Sequence, residues 1–270
     1  MLIQFLDQLL HFLQELDLTW WKILAVIAVG VLAGFINTVA GSGSLLTLPL
    51  LMFLGLPANV ANGTNRIAIL LQNMVGVTSF RRHGVLELRQ GIVIGLPAVA
   101  GSLLGARIAI GINDAIMEKA IGSLLIFMFV LIIFRPGRWL HSHEGMPPVK
   151  LPIQIIIFFL IGLYGGFIQA GVGFFLLAGL VLGAGFELVK ANALKVFIVL
   201  LYTPFALAVF IWNHDVNYTL GFILAIGNMI GALLGARVAV KWGSGAVRIF
   251  LLVALFLASL KLLGVFRLLT

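Results

Sequence analysis

The chain has 270 residues, 62% of them hydrophobic and only 10% charged, with a mean hydropathy of +1.19. A soluble domain carries roughly a quarter charged residues, so this composition excludes one and describes a single integral membrane domain. Zero cysteines exclude disulfides and thiolate metal sites, and the net charge of +8 gathers between apolar runs, where orientation in a bilayer explains it better than nucleic acid.

Residues 1–19 resemble a signal peptide in length only, because Asp7, Glu15 and Asp17 are acidic where such peptides are basic. Leu2, Phe5, Leu6, Leu9, Phe12, Leu13 and Leu16 follow helical spacing and predict an amphipathic helix lying on the membrane. A first transmembrane repeat is expected over 20–134, with apolar runs at 20–38, 44–56, 66–80, 91–110 and 116–134. A polar linker follows at 135–151, and a second repeat at 152–270 has runs at 152–169, 174–184, 196–211, 219–239 and 247–264. The second run of each repeat is too short to cross about 30 Å of hydrocarbon at 1.5 Å per residue, so it reads as a half-helix or re-entrant segment.

The two repeats are copies. Gly34–Ser44, GFINTVAGSGS, returns as Gly166–Phe174, GFIQAGVGF, two residues shorter in the middle. Ala61–Asn65, ANGTN, returns as Ala191–Lys195, ANALK, and Gly101–Ala109 returns as Gly231–Ala239. From Gly41 onward each motif lies 130 residues before its copy, which marks an internal duplication. In so apolar a chain, duplication points to a transporter with its site where the repeats meet. Five runs per repeat would invert the second copy relative to the first, whereas fusing the first two runs would make the copies parallel. Inversion puts ten Lys/Arg on one side against six on the other, and the parallel arrangement splits them nine to seven. The inverted arrangement is therefore expected, with the linker in the cytoplasm.

Between the first two runs of each copy lie the turns Ala40–Ser44 and Ala170–Gly173. Glycine lets a backbone turn sharply and approach a ligand, and a helix starting behind the turn presents free N–H groups to an anion. Gly41, Ser42, Gly43, Ser44, Gly171 and Gly173 are candidate binding residues on this ground, with Asn37 and Gln169 at matching places before the turns. The alternative is that the glycines only allow close helix packing, the reading given to Gly101, Gly105, Gly231 and Gly235 at four-residue spacing.

Asn62, Thr64, Asn65 and Arg66 open the third run, and Asn192 and Lys195 open its copy. Taken singly, Asn and Thr there are ordinary helix caps. Lys195 aligns with Asn65, so one copy carries a cation where the other carries a neutral donor; a Lys inside a span lines a polar cavity or snorkels to the surface. Arg66 reads equally as a site residue or a lipid-headgroup contact. A Ser–Lys hydrolase pairing Ser42 or Ser44 with Lys195 is formally available, but all five histidines fall outside the apolar runs, and His141 and His143 have only Glu144 nearby for a metal.

GFINTVAGSGSLLTLPLL, ANGTNR, GFIQAGVGFF and ANALK together resemble the TauE/SafE, or toluene sulfonate uptake permease, family over about residues 20–264. That resemblance, to bacterial and plant membrane proteins, implies a carrier of sulfite, sulfonates or similar sulfur-containing anions; a bacterial inner-membrane location and no cofactor are expected. Where the family commonly has a small residue followed by Thr before the second-copy Lys, this chain has Ala193 and Leu194, so a hydroxyl is lost. The expectation is an all-α polytopic secondary transporter, not an enzyme, which moves a small sulfur-containing anion by alternating access between its repeats. Its partners are that anion and the lipid bilayer, no nucleic acid is expected, and a homo-oligomer is left open. The rival is a non-transporting membrane scaffold or assembly factor.

Overall fold

The computed structural model describes residues 20–134 and 149–262, with side chains at 129–134 and 242–262 left aside. The expected surface helix at 1–19 and nearly all of the linker, including His141, His143 and Glu144, lie outside the described residues.

Every described element is helical. In order they are α1 (Trp20–Ala40), α2 (Ser44–Phe53), α3 (Ala58–Arg82), α4 (Leu88–Ile110), α5 (Asp114–Phe134), α6 (Leu151–Phe167), α7 (Val172–Ala178, continued by a wide turn Gly179–Gly183), α8 (Leu188–Trp212) and α9 (Tyr218–Leu262). Four of them are long and apolar enough to cross a membrane: α1, α4, α8 and α9 as far as Lys241. The surface is inside out by the standards of a soluble protein. Leu24, Leu32, Leu96, Leu104, Ile156 and Phe222 are exposed, while Arg66 and Lys195 are buried. Such an apolar exterior is stable only where lipid is the solvent, so the chain is an integral membrane protein.

Three boundaries differ from the sequence pattern. α3 starts at Ala58 behind Pro57, and α8 at Leu188 behind Glu187, each about two turns before its apolar run. Asn62 to Arg66, and Asn192 with Lys195, therefore sit inside helices and are not caps; their polarity hid helix that tertiary contacts hold. The runs at 219–239 and 247–264 are one helix, because Lys241 to Gly245 contain no proline to break it. Among the described residues the second half thus has four helices, α6–α9, and not the five expected.

Glycines set how the helices meet. Gly34 packs on Asn228 and Gly231 on Val31, so α1 and α9 run parallel; Gly101 packs on Phe159 and Gly105 on Leu163, so α4 and α6 do too. α9 lies parallel to α3, with Gly221 at Ile67 and Asn228 at Gln72, and α4 lies parallel to α8, with Gly91 at Leu194 and Gly95 at Leu201. α3 and α8 cross antiparallel, with Gly63 beside Phe210 and Gly76 beside Val196. Close backbone approach of this kind is how small residues bind helices where lipid removes the hydrophobic drive.

Candidate functional site

α1 ends at Ala40 because Gly41 takes φ +78°, and its N–H closes on the Asn37 carbonyl at 2.8 Å. α7 likewise begins behind Gly171 at φ +72°. Side chains resist this left-handed conformation, which is why both turns need glycine.

The two turns then touch. A Cβ on Gly41 would lie 2.4 Å from the Gly173 carbonyl carbon, and one on Gly173 would lie 2.4 Å from Gly41 Cα. The close approach these two glycines permit is to each other. Gly43 faces back onto α1, where a Cβ would lie 2.1 Å from the Ala33 carbonyl oxygen, and Gly171 abuts Met128.

Two buried cations flank the clasped turns. Lys195 Nζ donates to the carbonyls of Asn37 and Thr38, each at 2.9 Å, and to Asn192 Oδ1 at 2.6 Å. Arg66 Nη2 donates to the Gly166 carbonyl at 2.6 Å and Asn62 Oδ1 at 3.4 Å, while Nη1 reaches the Gly165 carbonyl and Gln169 Oε1, both at 3.2 Å. Asn62 Nδ2 adds a bond to the Phe167 carbonyl, and the Arg66 guanidinium lies over the Phe210 ring. Each cation thus caps the broken first helix of the opposite half, where free carbonyls and the negative end of the helix dipole gather.

Arg66 corrects two expectations. It is wholly buried, which removes the headgroup reading. It also performs in the first copy the duty of Lys195 in the second, so both copies carry a cation, displaced by one position along the helix. Positions three and four residues after an Asn share a helix face, which lets Asn62–Arg66 and Asn192–Lys195 act alike. Lys195, 2% exposed, does not snorkel. Its bonds run to the Asn37 and Thr38 carbonyls and the Asn192 amide oxygen, and not to Ser42 or Ser44.

Around this centre, Thr47 Oγ1 donates to Asn65 Oδ1 at 2.7 Å, Asn37 Nδ2 to Gln72 Oε1 at 3.2 Å, and Gln169 Nε2 to the Tyr202 hydroxyl at 2.9 Å. Four donor nitrogens are buried without an acceptor, Asn65 Nδ2, Gln72 Nε2, Asn192 Nδ2 and Arg66 Nε, and three oxygens, Thr38 Oγ1, Asn59 Oδ1 and Asn228 Oδ1, are buried without a partner. Among the described residues no Asp or Glu is buried. The interior therefore holds two formal positive charges and spare donors with no compensating carboxylate, an arrangement whose desolvation cost an anion would offset. Ser42 and Ser44 are buried beside the turn.

Thr64 stands apart, accepting from the Asn217 N–H and so tying down the turn before α9. Sequence reasoning missed Tyr202, Tyr164, whose hydroxyl donates to the Ala170 carbonyl, and Asn228, which donates to Gln72 Oε1. Tyr202 could have been found, since it lies 130 residues after Gln72 and does the same work.

Broken helices, a polar interior and an apolar exterior define a polytopic membrane transporter. Residues 26–262 match the family model described as sulfite exporter TauE/SafE, and the chain belongs to that family. It is similar to the probable membrane transporter protein ORF9 of Sinorhizobium sp., 27% identical over 92% of this chain and 95% of the relative. A probable membrane transporter protein of Haemophilus influenzae is 28% identical over 87% and 91%, and YfcA of Escherichia coli K12, also named a probable membrane transporter protein, is 29% identical over 87% of each chain. No solved structure matches the chain.

Proposed function

We propose that this transporter carries a small sulfur-containing anion, such as sulfite or an organosulfonate, across the bacterial cytoplasmic membrane, outward, by alternating access. The observation that carries the reading is a pair of buried cations, bonded to carbonyls near the ends of the two helices that the glycine turns break, together with four unpartnered donor nitrogens on Asn65, Arg66, Gln72 and Asn192 and no buried carboxylate among the described residues. Asn37, Asn62, Asn65, Gln169 and Asn192 surround the anion with neutral donors, and Lys195 and Arg66 balance its charge. The turn residues Gly41 to Ser44, Gly171 and Gly173 hold the two broken helices in place around it, and Thr64 supports the site from behind. The family's name supports the sulfur-anion class.

The repeats, 20–134 and 152–270, are proposed to be inverted. Supporting this, α3 and its copy α8 run antiparallel, and the contacts that align α1 with α9 and α4 with α6 set α1 against α6 and α4 against α9. Inversion lets one site between the copies open to either face.

The test is thermal unfolding of the purified protein with sulfite, taurine and chloride. A bound anion at one hundred times its Kd stabilises by about 2.7 kcal/mol. Stabilisation by a sulfur anion and not by chloride is expected, whereas indifference to all three would favour the scaffold reading.

A further inference from the structure

Two helix pairs built from the same duplicated motifs are packed one helical turn out of step. Gly34 of α1 meets Asn228 of α9, but Gly166, its copy in α6, meets Ser102 of α4, whose own copy is Ala232, four residues beyond Asn228. Gly231 lies on the Val31 carbonyl, while Gly101 lies on that of Phe159, the copy of Ile27, four residues before Val31. The helix-end caps repeat the offset. Lys195 holds Asn37 and Thr38, and Arg66 holds Gly165 and Gly166, copies of Ala33 and Gly34. Only the Asn37–Gln72 bond and its copy Gln169–Tyr202 keep the same partners, and the second pair has longer side chains.

The other seams are in step. Gly221 meets Thr64 and Ile67, and its copy Gly91 meets Leu194 and Phe197, the matching residues. The offset therefore belongs to α1 and α6, against a symmetric frame of α3, α4, α8 and α9. α1 lags and α6 leads, and because they run in opposite directions both are displaced toward the same face, the one on which Trp20 lies. The clasp between Gly41 and Gly173 joins them.

We propose that α1 and α6, clasped at their glycine turns, travel across this frame as one body by one helical turn, about 6 Å at 1.5 Å per residue, and that this is the motion that alternates access. The proposal rests on the transport reading. The duplicated motifs permit the step because small residues recur every four positions: after it, Gly34 would meet Ala232 and Gly166 would meet Ala98, so close packing is regained. One-turn ratchets of packed helices are an established kind of switch. Lys195 would then lie beside Ala33 and Gly34, the copies of the residues Arg66 now holds.

The cysteine-free chain suits paired spin labels at exposed positions in proteoliposomes. With sulfite added, a Leu24→Cys/Leu234→Cys pair should gain a population shortened by up to about 6 Å, and an Ile153→Cys/Leu104→Cys pair one lengthened as much, while Met74→Cys/Ile226→Cys stays fixed. Changes of the same sign in the first two pairs, a moving third pair, or single unchanged distances in protein that still exchanges sulfite would overturn the proposal. Opposite shifts in protein that moves no sulfur anion would keep the motion and remove the transport reading.

A separate observation assigns a lipid site. A cavity of about 330 Å³ lies between the C-terminal end of α3 and the middle of α9, lined by Met74, Val75 and Leu233 together with Arg82, His83 and Arg237. Neither arginine has a carboxylate partner among the described residues. In the copied positions Arg82 becomes Trp212, exposed and suited to a membrane interface, and Arg237 becomes Arg107. We infer that the cavity holds an anionic phospholipid, its phosphate between the two guanidinium groups and an acyl chain along Met74 and Leu233. Native mass spectrometry from mixed phosphatidylcholine and phosphatidylglycerol nanodiscs should show phosphatidylglycerol retained by the wild type and lost at least tenfold in Arg82→Gln/Arg237→Gln. Equal retention of both lipids, retention by the double variant, or displacement by inorganic phosphate would overturn it.

Discussion

At Lys195 and Asn192 the fold and the proposed anion site draw on the same side chains. Lys195→Met would orphan the carbonyls of Asn37 and Thr38, so it should cost about 1–3 kcal/mol in thermal unfolding as well as abolish transport. Lys195→Arg should keep the stability, since an arginine already does this work at position 66. Asn192→Asp separates the two duties. The new carboxylate keeps the bond from Lys195, while the unpartnered amide donor disappears and a negative charge takes its place. Melting temperature should hold or rise, and stabilisation by sulfite should vanish; retained sulfite stabilisation would remove Asn192 from the site. Thr64→Val is the converse. It should lose about 1 kcal/mol by freeing the Asn217 N–H and leave anion affinity unchanged.

At the scale of elements, the glycine turns were legible in the sequence and their contact was not. AGSGS and AGVG declare two breaks, and the short α2 and α7 follow from the apolar run lengths. That the breaks meet each other depends on which helices pair, and no local pattern encodes that. For the same reason Arg66, read equally as a site residue or a headgroup contact, was not recognised as the counterpart of Lys195: aligning copies by position matched Lys195 with Asn65, whereas a helix face tolerates a step of one residue. Tyr202 sits within the apolar run VFIVLLYTPFALAVF, and only its 130-residue offset from Gln72 marks it. Gly43→Val, which would test ligand approach if the glycine faced a ligand, instead drives a side chain into Ala33, so the expected result is loss of folded protein, read as the yield of monodisperse material.

For the whole molecule, the duplication, the membrane class and the unequal distribution of basic residues could all be read from the sequence. The count of ten Lys/Arg against six assumed a fifth run in the second half, and α9 joins that run to the fourth, so the expectation that the 81–90 loop faces the cytoplasm rests on Arg81, Arg82 and Arg89 gathered there. Single cysteines at His83 and Asn213, at opposite ends of the antiparallel α3 and α8 pair's connections, should label with an impermeant maleimide from the inside and the outside respectively. What the sequence could not show is that two copies of one motif occupy different registers, because identical motifs carry no record of which partner each has met. The central claim is that the buried cations and spare donors exist to hold a moving sulfur anion. Its most direct test is counterflow of labelled sulfite in proteoliposomes, wild type beside Asn192→Asp. The account predicts uptake driven by unlabelled sulfite on the far side in the wild type and none in the variant; equal signals in the two, or no exchange of any sulfur anion by the wild type, would contradict it.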